Sequence, residues 1–131
     1  MTSSTLVHAQ IKAALVAGGL NAVDGPAHDL PTEGGLVAQA VVLWPSAPLH
    51  QYTRASGTRS GRTDRVLLTC VGATTSDCLA VADKVEALIG GLRLPSGGLL
   101  RQTLATMPAA EPNTDPQRVS LAVEYTTITK G

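Results

Sequence analysis

Apolar side chains recur at helical spacing in two segments of the chain and at every second position in a third, and these stretches set the expected elements. From Thr75 to Leu92, Cys78, Val81, Ala82, Val85, Leu88, Ile89 and Leu92 follow the helical period, while Asp77, Asp83, Lys84 and Glu86 fall on the opposite side. Thr75 or Ser76 supplies an N-terminal cap, Asp77 sits at the positive end of the helix dipole, and Gly90 with Gly91 allows a left-handed exit. Immediately upstream, Arg65 to Val71 is rich in β-branched and leucine side chains, and Gly72 to Thr75 is small and polar. The stretch from Arg65 to Leu94 therefore predicts a strand turning into an amphipathic helix whose apolar face needs a sheet beneath it.

Thr5 to Gly18 carries a second helical stripe of Val7, Ile11, Ala14, Leu15 and Gly18, with Ser3 or Ser4 as its cap, and is expected beside the first helix on the same sheet face. Turn formers then crowd together at Asp24, Gly25, Pro26, Pro31, Gly34 and Gly35, which predicts a linker over 21–36 with room for one short extended segment. Ala38 to Trp44 reads as a strand stopped by Pro45, and Leu49 to Ala55 can pair next. Residues 56–64, SGTRSGRTD, contain no apolar side chain and predict a long mobile hairpin tip. Pro95 to Gly98 turns the chain, Leu99 to Met107 can form a strand, and a proline-rich loop is expected over 108–117. The last segment, Arg118 to Thr129, alternates cleanly, with Val119, Leu121, Val123 and Tyr125 on one side and Ser120, Ala122, Glu124 and Thr126 on the other.

This order implies an α+β fold, a mainly antiparallel sheet with two helices on one face, organised as a single domain over residues 1–131. Two helices cannot cover both faces of such a sheet. The second face is expected to be solvated or to lie against another copy of the chain.

Composition changes this picture in two ways. The apolar content rests on Ala, Val and Leu, with no Phe and a single Trp, so the core is light. Ten basic and ten acidic residues balance, which removes any global attraction to nucleic acid or an anionic membrane, and the longest apolar run is far short of the roughly 20 residues a membrane span needs. With no signal-type N-terminal pattern, a soluble cytoplasmic protein is expected. Cys70 and Cys78 are too few for a disulfide framework, lack zinc-site spacing, and read as small core residues.

Locally the charge is uneven. Residues 1–50 carry Lys12 against Asp24, Asp29 and Glu33, whereas residues 51–65 carry Arg54, Arg59, Arg62 and Arg65 against Asp64. Two readings are open: a solvated loop with incidental arginines, or a hairpin that reaches an acidic patch on a second subunit.

No constellation for catalysis emerges. His8, His28 and His50 share no metal-ligand spacing and read as surface residues; the glycine pairs follow a helix instead of opening one, as a phosphate loop would. Neither a nucleophile elbow nor a recognisable carboxylate pair is present, and three aromatics are too few for a single-strand nucleic-acid platform. The chain is expected to be no enzyme and to need no cofactor.

Taken together, the capped N-terminal helix, the DGP turn with its proline-bearing linker, the strand ending at Trp44, the basic hairpin tip, the RVLLTCVGATTSDCLAVADKVEALIGGL unit and the closing VSLAVEYTTIT strand resemble the tail terminator proteins of long-tailed, siphovirus-like bacteriophages. The resemblance spans nearly the whole chain and rests on element order, length and segment character. It implies a virion protein of the tail neck, made in the host cytoplasm, that forms a ring, usually a homohexamer. Such a ring caps the finished tail tube, halts its polymerisation and joins it to the head connector. The implied partners are other copies of the chain, the tail tube protein and the head-tail connector protein. Membrane and sequence-specific nucleic acid are not among them, although the ring lumen is a path for DNA. Arg54, Arg59, Arg62 and Arg65 are then the candidate ring contacts. The competing readings are another neck or tail component, such as a connector or tube subunit, and a small α+β ligand-binding domain.

Overall fold

The chain runs through α1 (Ser4–Ala17), β1 (Asn21–Asp24), β2 (Thr32–Glu33), β3 (Leu36–Val37), β4 (Ala40–Pro45), β5 (Leu49–Tyr52), β6 (Arg59–Gly72), α2 (Thr75–Ile89), β7 (Arg101–Ala105), β8 (Ala109–Ala110) and β9 (Val119–Lys130). This computed structural model describes residues 4–25, 30, 32–47, 49–52, 59–94, 98–112 and 117–130, with side chains placed for all of these except 4, 33, 49–52, 59–60 and 129–130.

Seven strands form one sheet with the path β1-β4-β6-β9-β7; β5 continues the β4 side of β6, and β8 pairs with β9. Only β1 and β4 run parallel among these described pairs; the others are antiparallel, and the fold is α+β. β6 and β9 are the spine, in register from Gly61 opposite Lys130 to Gly72 opposite Val119. Their alternation divides the sheet. Val66, Leu68 and Cys70 of β6 and Leu121, Val123 and Tyr125 of β9 are buried beneath the helices, while Leu67, Thr69, Ala122 and Glu124 point the other way and stay partly open.

α2 lies over β6 and β9, and α1 lies beside it over β1, β4 and β6. Their inward stripes, Val7, Ile11 and Leu15 from α1 and Cys78, Val81, Val85 and Ile89 from α2, close one core with Val41, Leu43 and Leu68. Each fully buried aliphatic side chain of this kind is worth roughly 1.5–3 kcal/mol of transfer free energy. The entry into α2 is tight: a Cβ on Gly72 would lie 2.6 Å from Cβ of Asp77, so only glycine lets β6 turn there. The cap is Thr74, one residue before the expected pair, with its hydroxyl accepting from the Asp77 amide at 3.2 Å. At the far end Gly91 is left-handed (φ +75°), whereas Gly90 is extended.

Several expectations need correction. The 21–36 segment is not a linker: Asn21–Asp24 is a parallel edge strand registered on β4, and β2 and β3 form a separate hairpin. Val37 from that hairpin, with Val42 and Val71, builds a small second core on the face away from the helices, flanked by Val23 and Leu30. The second sheet face is thus partly covered by the chain itself. The strand expected over Ala38 to Trp44 begins at Ala40 and includes Pro45, which sits at its end. The expected hairpin tip over 56–64 is strand from Arg59 onward, because β5 and β9 supply ladder partners on both sides of it. Residues 56–58, like Arg54, His28 and Ser3, lie outside the described residues. The expected 108–117 loop contains the short strand β8.

Candidate assembly surface

Register assigns the open face residue by residue. One row across the sheet joins Trp44, Leu67, Glu124 and Leu104; the next joins Arg65, Thr126 and Arg101. Ile128 stands two residues beyond Thr126 on the same side of β9. Trp44 is 39% exposed, Leu104 47% and Ile128 58%, large apolar side chains that the protein's own helices do not reach. The Trp44 indole lies against Gly25, where a Cβ would come within 2.5 Å of the ring, and its Nε1–H donates to the Thr69 hydroxyl at 3.1 Å. The Thr103 hydroxyl donates to the Glu124 carboxylate at 2.8 Å and lies 3.0 Å from the Thr126 hydroxyl. Glu124 is thereby engaged. Among the described residues, Arg65 and Arg101 have no ion-pair partner. An open groove of about 320 Å³ runs along this edge, lined by Leu99, Arg101, Thr103, Thr126 and Ile128.

Of the four arginines expected to act together, the two whose side chains are described, Arg62 and Arg65, face opposite ways. Arg54 lies outside the described residues, and Arg59 is placed by its backbone at the start of β6, opposite Tyr52. Arg62 is on the helix side of β6, where Nε donates to Asp64 Oδ2 at 2.9 Å and Nη2 to Oδ1 at 2.7 Å. This fork grips a carboxylate that is only 4% exposed, and the hydrogen bonds to it raise the pKa of Arg62. Its charge is therefore used inside the subunit. Arg65, three residues on, faces the opposite way and is exposed on the open face. Strand parity, invisible when the segment is read as a loop, explains the split.

His8 is not a plain surface residue. Its Nε2 lies 2.8 Å from Asp24 Oδ1, and Lys12, one turn along α1, donates to Oδ2 at 3.2 Å. The clasp joins α1 to β1 and lowers the Asp24 pKa, chiefly through the His8 bond and then through Lys12. Nearby, the gap between α1, the end of β4 and the middle of β6 is about 10 Å³, about the room one water needs. Tyr125, wholly buried, donates its hydroxyl to the Glu86 carboxylate, and burial first, then that bond, raises its pKa. Both cysteines are buried and free, as core residues; the Cys78 thiol donates to the Cys70 carbonyl at 3.1 Å, and burial pushes the Cys70 thiol up to about 12. Among the described residues no cluster of three or more His, Cys, Asp or Glu side chains could hold a metal, and no helix is long and apolar enough to cross a membrane.

No family model matches the sequence, and neither does any curated protein. The fold, however, is shared. A chain of a solved virion of a native gene transfer agent particle matches with a TM-score of 0.64 and 14% identity, over 98% of this chain and 94% of its own. A second solved structure, which carries no functional description, matches with a TM-score of 0.54 and 17% identity, over 97% of this chain and 96% of its own. At these identities the likeness speaks for the fold, which both share from end to end.

Proposed function

We propose that this chain is a structural virion protein, a tail terminator whose copies close into a ring, of six subunits, at the end of a tail tube. The observation that carries the reading is the end-to-end fold similarity to a chain of a gene transfer agent virion. The resemblance in element order supports the terminator position within that class. A sheet face that keeps Trp44, Leu104 and Ile128 in water supports contact with neighbours.

In this role the protein binds and performs no chemistry. Ring closure stops tube growth by occupying the surface on which the next tube subunit would dock, and the opposite rim meets the head connector. Its partners are copies of itself, the tube protein and the connector; it acts at the tail neck after assembly in the host cytoplasm, with DNA passing through the lumen. No cofactor or membrane takes part.

The test is native mass spectrometry over a concentration series, alone and with short tail tubes from the same source, with imaging of the tube ends. Closed rings, free or at tube tips, are expected. Binding along tube sides or to connector rings assigns the chain to another neck or tail position, and a monomer that ignores tubes overturns the reading.

A further inference from the structure

The two layers of the subunit are complementary to one another. On α1 the stripe facing away from the core, Leu6, Ala9, Ala13 and Val16, contains no charge, and Leu6 and Val16 are exposed at 42% and 53%. A helix apolar on its outer as well as its inner face is the pattern of a helix buried on both sides. The outward side of α2 carries the short side chains Leu79, Ala80 and Ala87 together with exposed Asp83, Lys84 and Glu86; Glu86 accepts from the Tyr125 hydroxyl, and Asp83 has no ion-pair partner among the described residues. The open sheet face has the converse make-up: apolar Trp44, Leu104 and Ile128 beside Arg65 and Arg101, two cations with no ion-pair partner among the described residues.

We infer that the helix layer of one copy docks on the open sheet face of the next, with Asp83 directed to the Arg65–Arg101 row. The occupant is a second copy because one chain carries both halves: a helix layer with an apolar α1 stripe beside the acid Asp83, and an apolar sheet face with two cations that have no ion-pair partner among the described residues. Such a contact is heterologous, one patch against a different patch, and repeats head to tail until rotation closes it. The alanines let the helix backbones come close to the sheet, and the charges fix register more than they add affinity. This inference rests on the ring reading and specifies its contact.

Two variants remove one half each. Ala13→Asp places a charge on the helix stripe and leaves the sheet face intact; Leu104→Asp does the reverse. Both positions are exposed, so each variant should melt as the wild type does. Each alone should be monomeric under conditions where wild type forms rings, a fall of about tenfold or more in the association constant per contact for a charge buried without a partner. Mixed one to one, they should form a heterodimer that stops there, since only one complementary junction remains. The single tryptophan reports the same event without mutation: Trp44 emission should shift to the blue as wild-type rings form. Rings or homodimers from either variant alone, or unchanged emission on ring formation, overturn this contact and leave the ring standing. Wild type that never assembles, even at tube ends, overturns both.

Discussion

Along β6 from Arg65 to Cys70 the two faces of the sheet differ residue by residue. Val66, Leu68 and Cys70 are sealed beneath α1 and α2, whereas Arg65, Leu67 and Thr69, one residue away in each case, stay wholly or partly in water. The backbone is common to both sets, so the difference is made by what the rest of the chain supplies. Two helices close one face; on the other, among the described residues, the β2–β3 hairpin packs on Val42 and Val71 while the Trp44 and Arg65 rows stay partly open. The contrast teaches that the helix side holds the subunit together and the open side is left for assembly, so substitutions on the two sides should fail in different measurements.

The largest effect should come from emptying the closed face. Leu68→Ala, at a fully buried position between both helices, should cost roughly 2–5 kcal/mol. It should appear as a lowered urea midpoint in the monomer, before assembly is even assayed.

A sharper form of the comparison uses two arginines of one strand. Arg62→Ala strands the buried Asp64 carboxylate and should destabilise the monomer by about 2 kcal/mol or more. Arg65→Ala removes an exposed charge from the other face and should change monomer stability by less than about 0.5 kcal/mol while weakening assembly. Urea unfolding beside native mass spectrometry separates them; equal destabilisation by both would erase the distinction between the faces.

The smallest effect is a pH dependence confined to the closed face. Burial raises the Cys70 thiol from 9.0 to about 12, so the unfolded chain releases that proton first. The thiol's contribution is present in full below pH 9 and is lost as pH rises toward 12, by about 1.4 kcal/mol per pH unit. Tyr125, also raised, adds to the loss above its ordinary value of 10.0. Cys70→Ala should therefore flatten the fall in stability between pH 9 and 10, read from urea midpoints; an unchanged slope would mean that the thiol is not the group titrating.

How much of this was legible depends on whether the cause was local. The α2 stripe and its acid-lined start could be read directly, and so could the alternation of β9, because a period and a cap are properties of consecutive residues. The candidate site was less accessible. Arg54, Arg59, Arg62 and Arg65 look like one patch in a list of residues, yet in β6 Arg62 turns inward to Asp64 and Arg65 outward. Nothing in SGTRSGRTD announces a strand; its ladder partners come from β5 and from β9, up to Lys130 at the other end of the chain. Likewise, turn formers dominate 21–36, but Asn21–Asp24 is drawn into the sheet by the free edge of β4.

By itself, then, the sequence determined the two helices, their buried stripes, the long alternating strand and the α+β class, since each follows from short-range periodicity and backbone preference. Tertiary structure alone decided where β6 begins, which arginine is spent within the subunit, and how far the second face is covered. Those outcomes depend on hydrogen bonds and contacts between residues far apart in the chain, which no local pattern encodes.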